Sequence, residues 1–133
     1  MSDYFKKLNV ALQQADFALP TLIIDQVRLD ANLAQVKKML TPKVKPRLVV
    51  KSLGSIELLK YIANDLNCNR FMVFHLPHVL LVLNAFSDAD ILLGKPMPIR
   101  AVQNLYEQNK SSEQVPIQWL IDSIERLEQY LEL

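Results

Sequence analysis

Several kinds of functional site need residues that this sequence contains in small numbers. Its 133 residues include two glycines, Gly54 and Gly94, which are too few for the glycine-rich loops that bind nucleotide phosphates. Its single cysteine, Cys68, cannot form a disulfide within the chain, and the polar helix near the start of the sequence leads us to expect no signal peptide. We therefore predict a cytoplasmic protein without a Walker or dinucleotide-binding loop.

Neither sign of charge is in clear excess, and no long run of apolar residues is present. The formal net charge is +1, so it gives no general argument for nucleic acid as a partner. Residues 31–56 contain several basic side chains but no acidic ones, and such a pattern is typical of solvated helix ends and loops. Residues 71–87 carry no formal charge, but Pro77 and Asn84 interrupt them and they are shorter than the roughly 20 residues of a membrane-spanning helix. We predict neither a nucleic-acid nor a membrane partner.

Short apolar runs alternate with amphipathic helical patterns along most of the chain. The sequence is 50% hydrophobic and 22% charged, which fits one globular domain with a core. The predicted strands cover residues 48–51, 70–75, 91–94 and 117–122, and the predicted helices cover residues 55–66, 77–86, 98–108 and 123–133. This alternation predicts an α/β fold with a parallel sheet, and the lack of polar alternation within the strands predicts burial on both sheet faces.

The first 45 residues follow a different pattern. A polar helix over residues 2–14 precedes an apolar, β-branched run over residues 19–25, which predicts an additional strand. Asp25 is placed to cap a second helix, which ends before Thr41. The apolar stripe of that helix consists of Leu29, Leu33, Val36 and Leu40. The predicted organisation is a single domain in which residues 1–45 precede four β-α units over residues 46–133.

Four consecutive β-α units are half the number in a TIM-type barrel. A complete (β/α)8 barrel takes around 250 residues, so we predict a partial (β/α)8 barrel with an extra N-terminal strand and helix. Unless the ends curl into an open five-stranded sheet, the strands at its margins expose unpaired backbone groups. Such edges predict a homo-oligomer.

Polar or ionisable side chains follow the predicted strands, at the end where barrels and doubly wound sheets bind ligands. They are Lys51, Ser52, His75, Lys95, Asp122 and Ser123. Lys51 is the most informative, because a lysine withdrawn from water is more readily the neutral amine that attacks an aldehyde. The alternative is that its stem packs against the protein while its ammonium group reaches solvent.

Five stretches of the sequence carry a resemblance to a known family. TLIIDQVRLDANLAQVKKML, PRLVVKS, RFMVFH, DADILLGKP and IQWLIDS resemble the N-terminal half of the pyridoxal-phosphate enzymes of the alanine racemase fold type. Over residues 20–124 the chain is most similar to the D-threonine aldolase and D-serine dehydratase branch. The resemblance implies pyridoxal 5'-phosphate as cofactor, a small amino acid as substrate, and lyase or isomerase activity of the aldolase, dehydratase or racemase type. It also implies that Lys51 is the catalytic lysine, holding the cofactor through a Schiff base, and that His75 approaches the cofactor ring.

The sequence departs from the family pattern and covers only part of it. Residues 49–54, VVKSLG, lack the histidine before the Schiff-base lysine and the Thr-His-Lys after it that this branch typically has. Lys95 stands where a tyrosine is usual near the end of the third barrel strand. The later barrel strands and the second, β-rich domain have no counterpart in 133 residues, so the resemblance implies a truncated chain that is inactive alone.

Two alternatives stay open beside the enzymatic interpretation. The rival interpretation is a non-catalytic α/β module, without cofactor, that associates through its open strand edges or through the basic surface over residues 37–47. His75 and His78 are three residues apart, a spacing that suits two metal ligands, but no third ligand is near in sequence. Packing at the start of a helix is therefore favoured for this pair, and no metal is predicted. Cys68 is predicted to be a small buried residue and not a nucleophile.

Overall fold

Six α-helices and four short strands form in the computed structural model, which describes residues 2–108 and 117–133. The helices are α1 (Asp3–Gln14), α2 (Gln26–Met39), α3 (Ile56–Asp65), α4 (Leu76–Ala85), α5 (Ile99–Gln108) and α6 (Ile124–Leu131). The strands are β1 (Leu48–Val49), β2 (Arg70–Val73), β3 (Asp90–Leu93) and β4 (Ile117–Gln118). The chain divides into two compact units, Met1–Asn32 and Leu33–Leu133, and each is described by itself.

The four strands make one parallel sheet in the order β1-β2-β3-β4. In its register Leu48 pairs with Phe71, Phe71 with Ile91, and Ile91 with Ile117. The predicted α/β fold with a parallel sheet is confirmed. β1, β2 and β4 lie inside runs that the sequence predicted, and β3 begins one residue before its predicted run. All four strands end earlier than predicted because the chain turns into a helix or loop near the carboxyl end of the sheet.

One face of the sheet is buried beneath helices. The side chains that are completely buried are Phe71 and Val73 in β2 and Ile91 and Leu93 in β3. The residues that alternate with them along each strand are half-buried. The buried cluster also contains residues of α3, α4 and α5, namely Leu59, Ala63, Val79, Val82, Val102 and Leu105. Consecutive strands are neighbours in this sheet, and crossover connections between parallel strands are right-handed. Together these two features place the connecting helices on one side of the sheet.

The other sheet face, which we call the second face, is not buried to the same degree. By strand alternation it carries Val49, Met72, Leu92 and Gln118, of which the first three are half-buried and Gln118 is exposed. The prediction that the strands are buried on both faces is therefore wrong. The reason is topological, because α3, α4 and α5 all pack on the first face and none of them covers the second.

Side-chain caps begin two of the helices in this unit. The Ser55 hydroxyl accepts a hydrogen bond from the Leu58 backbone N–H at the start of α3, at 3.2 Å. The Ser123 hydroxyl accepts one from the Arg126 N–H at the start of α6, at 3.1 Å.

Cys68 is buried, as predicted, and its Sγ donates a hydrogen bond to the Pro46 carbonyl at 3.3 Å.

In the Met1–Asn32 unit, the predicted strand over residues 19–25 is wrong. These residues form no strand, and the Leu22 side chain is 91% exposed. The β-branched composition favours an extended backbone, but a strand is stable only when it is paired, and none of the described strands pairs with this run.

The prediction that Asp25 caps α2 is confirmed. Its carboxylate accepts a hydrogen bond from the Arg28 N–H at 3.0 Å and another from the Tyr4 hydroxyl at 2.8 Å. The Arg28 guanidinium lies 3.6 Å from the centroid of the Tyr4 ring. The backbone hydrogen bond from Arg28, followed by the hydrogen bond from the Tyr4 hydroxyl, lowers the pKa of Asp25.

No described helix is both long and apolar enough to cross a membrane.

Candidate functional site

Lys51 is the second residue after β1, in a short 3-10 helix over Val50–Ser52. This is the carboxyl end of the sheet, where the sequence placed it. The Lys51 side chain is exposed and its Nζ lies 4.1 Å from the centroid of the Phe74 ring. The expectation of a lysine withdrawn from water is wrong, and the alternative of a solvent-exposed lysine holds; in the 3-10 helix Val50 is the buried residue.

The Phe74 ring also contacts the end of β3. A Cβ built on Gly94 would lie 2.5 Å from Cε1 and 2.6 Å from Cζ of that ring, closer than real Cβ contacts. The Gly94 N–H donates to the Val73 carbonyl at 2.8 Å, so the ladder between β2 and β3 continues to this point. By alternation from Val73 and Leu93, both Phe74 and Gly94 belong to the second face.

Lys51, Phe74 and Gly94 thus form one group, which we call the rim group, across the carboxyl ends of β1, β2 and β3. A cation within about 6 Å of a ring face is attracted by the ring quadrupole, so the contact of Lys51 with Phe74 is favourable. The sequence pattern identifies Lys51 but does not identify Phe74. No local signal identifies Phe74, because its role depends on the pairing of distant strands.

His75 follows β2 and is the N-cap residue of α4. Its exposed ring packs on that of His78, with centroids 3.8 Å apart and planes tilted by 41°. Burial, followed by the nearby charge of His75, lowers the pKa of His78. The ring contact of His75 is with His78 and that of Lys51 is with Phe74, so the two predicted cofactor residues belong to separate contacts.

The other polar residues predicted at strand ends have simpler environments. Ser52, Lys95 and Asp122 are exposed, and Ser123 serves as the cap of α6. Within residues 2–108 and 117–133, no three His, Cys, Asp or Glu side chains are grouped so that they could hold a metal ion.

The amino end of the second face carries a polar cluster that sequence analysis did not predict. The Asp90 carboxylate lies 2.8 Å from Arg47 Nη2 and 2.8 Å from Arg70 Nε, and it accepts a hydrogen bond from the Gln118 amide at 2.7 Å. Arg47 Nη1 donates in addition to the carbonyls of Phe71 and Asp90. This end of the sheet is opposite to the rim group, and its hydrogen bonds join three strands and the residue before β1.

The Asp90 carboxyl group responds to two opposing influences. Partial burial acts to raise its pKa, whereas hydrogen bonds from Arg70 and Arg47 and the charges of both guanidinium groups act to lower it. The hydrogen bonds and charges together outweigh burial, and the pKa of Asp90 is held below its ordinary value. The cluster is therefore a charged structural contact at neutral pH.

Comparison of the chain with protein-family models, with curated proteins and with solved structures gives no match.

Proposed function

We propose that residues 46–133 are the first half of a (β/α)8 barrel from a cytoplasmic, pyridoxal-phosphate-dependent amino-acid lyase or isomerase. The enzyme is of the D-amino-acid aldolase, dehydratase or racemase type, and Lys51 is the lysine that holds the cofactor. The observation that supports this most strongly is the position of Lys51 at the carboxyl end of a parallel sheet, over a residue of the second face. Ligands of barrels bind at this end.

The partial barrel is supported by the order of the strands. In a (β/α)8 barrel each strand pairs with the next along the chain, all strands are parallel and all helices lie outside. The sequential order β1-β2-β3-β4, with α3, α4 and α5 on one face, has the same features. The second face would be the interior of the barrel, and its side chains Val49, Met72 and Leu92 are apolar, as interior residues of barrels are.

The residues present fit the chemistry of the cofactor at its aldehyde end. A primary amine is required, and the exposed Lys51 amine is not part of the ion pairs found in the described residues. When bound, pyridoxal phosphate supplies a ring that accepts electrons from the α-carbon of an amino acid. Lys51 Nζ would bind the cofactor and then move a proton at that α-carbon as a general base. His75, one residue after Phe74, would line the cofactor ring.

The proposal is tested by reductive labelling. The protein is incubated with pyridoxal phosphate, reduced with borohydride and digested, and the share of label on each lysine is measured by peptide mass mapping. The same chain unfolded in urea gives the reference distribution. We expect Lys51 to be enriched in the folded protein, and we expect Lys51→Arg to remove the enrichment without a compensating site.

Lys95→Arg is the matched control, because Lys95 is also an exposed lysine at the carboxyl end of a strand. It should leave the enrichment of Lys51 unchanged. A folded protein that is labelled in the proportions of the unfolded chain would contradict the role of Lys51.

A second candidate function is association without catalysis. It is supported by the half-buried apolar residues of the second face and by β1 and β4, which are the margins of the described sheet. In this case a second copy of the chain is the partner, and sedimentation velocity should show a species that grows with concentration. Leu92→Lys on the second face should dissociate it. Leu81→Lys, at a position on α4 that is 39% exposed, should not.

A further inference from the structure

The Phe74 ring contacts both of the other members of the rim group. The Lys51 ammonium lies over its ring, and Gly94 leaves the space into which the ring extends. Both contacts are made on the second face, away from the buried cluster that stabilises the sheet. Phe74 itself is half-buried, so its ring is not a fixed part of that cluster.

We propose that Phe74 is a positioning residue for the Lys51 amine. In this proposal Gly94, which has no Cβ, provides the space that the Phe74 ring occupies. The inference rests on the proposed function, because it concerns the amine that would hold the cofactor. It goes beyond that function by assigning roles to two residues that contact neither substrate nor cofactor in the proposal.

An exposed lysine has many rotamers, and each of them directs the amine to a different place. The face of the Phe74 ring favours the rotamers in which the ammonium lies close to the ring, at 4.1 Å from its centroid in this structure. The ring thereby concentrates the Lys51 nitrogen, as its ammonium, at the carboxyl end of the sheet, where a ligand of the barrel would bind. The nitrogen attacks the aldehyde from this position after it has lost its proton to water. A reacting group held near its working geometry reacts faster than one that must find it.

The requirement for glycine at position 94 is steric. The structure has no glycine with a positive φ, so the backbone at Gly94 is one that alanine can adopt. The atoms that an added Cβ would meet are at the far end of the Phe74 side chain, not in the backbone. Gly94→Ala should therefore move the Phe74 ring away from Lys51 while the sheet stays intact.

The first measurement observes the amine without any cofactor. The lysines are methylated with ¹³C-formaldehyde and a hydride donor, and the resonance of dimethylated Lys51 is assigned with Lys51→Arg. Its position over the Phe74 ring should shift the resonance upfield through the ring current. The upfield shift should be lost in Phe74→Leu and in Gly94→Ala. It should be kept in Phe74→Tyr, because tyrosine also has an aromatic ring.

Gly54→Ala is the matched control for Gly94→Ala. Gly54 is three residues after Lys51, and a Cβ there would meet nothing within 4 Å. This variant should keep the upfield shift. In the Phe74→Leu background, Gly94→Ala should have no additional effect, because the ring on which it acts is no longer there. An unchanged Lys51 resonance in both Phe74→Leu and Gly94→Ala would overturn the inference.

The second measurement repeats the pyridoxal phosphate labelling in the same variants. The enrichment of Lys51 should fall by about two- to fivefold in Phe74→Leu and in Gly94→Ala, the size expected for an exposed cation–π contact. Equal or greater enrichment in these variants would overturn the inference, since the ring would then hold the amine back. If the ring-current shift behaves as expected but Lys51 is never enriched, positioning is supported and the proposed enzymatic function is contradicted.

Discussion

The Arg47 guanidinium and the Asp90 carboxylate, whose Nη2 and Oδ1 atoms are 2.8 Å apart, connect the residue before β1 to the first residue of β3. β2 lies between these strands, and its first residue, Arg70, binds the other oxygen of the same carboxylate. One acid thus satisfies two guanidinium groups at the amino end of the sheet. The Arg47 side chain is only 15% exposed, which makes the loss of its anion costly.

We expect Asp90→Asn to reduce the free energy of unfolding by about 1–3 kcal/mol, because charged hydrogen bonds are lost and Arg47 is left partly buried without a counter-ion. Urea denaturation followed by circular dichroism measures the change. Asp122→Asn removes the same charge from an exposed position and should alter stability little. Equal stability of the Asp90 variant and the parent would show that the cluster does not hold the strands together.

The same cluster predicts a dependence of stability on pH. The pKa of Asp90 is lower in the folded protein than its ordinary value of 3.8, so the unfolded chain binds the proton first as pH falls. The stabilisation is fully present above that value and is lost as pH falls through the lower folded pKa. Urea denaturation from about pH 6 to about pH 3 should show a decline that is smaller in Asp90→Asn. An equal decline in the variant would assign the effect to other carboxyl groups.

Local signals predicted much of the fold correctly. β2 and β3 are short apolar runs with turn residues on either side, and Asp25, Ser55 and Ser123 are residue types that begin helices. These features depend on neighbours in sequence. The run over residues 19–25 has the same composition as a strand, but pairing decides whether a strand forms, and pairing is not a local property.

The candidate site also has one feature that depends on neighbours in sequence and others that depend on strand pairing. The position of Lys51 at a strand end follows from the apolar run before it. Its contact with Phe74, and the fit of Phe74 to Gly94, follow from the register of three strands. The exposure of Lys51 was one of two alternatives that the sequence left open, because the 3-10 helix after β1 leaves no distinct pattern in the residues VKS.

The pKa of His78 should lie below its ordinary value of 6.5, chiefly because of burial. Because the unfolded chain then binds the proton more readily, the free energy of unfolding should fall as pH decreases from 6.5 towards the lower folded pKa. The chain has two histidines, so an NMR titration resolves them directly. His75→Asn removes the smaller cause and should raise the pKa of His78 only in part. A midpoint for His78 at or above 6.5 in the parent protein would contradict its buried environment.

The caps of α3 and α6 make a separate test of local structure. Ser55→Ala and Ser123→Ala should each reduce the free energy of unfolding by about 1 kcal/mol, because each leaves a backbone N–H at the start of a helix without its acceptor. Ser55→Asn and Ser123→Asn are the matched variants, since asparagine supplies an oxygen at the same position and is an equally good cap. Urea denaturation should place the asparagine variants near the parent protein. If alanine and asparagine reduce stability equally at either position, the cap hydrogen bond there does not contribute, and the serine is retained for another contact.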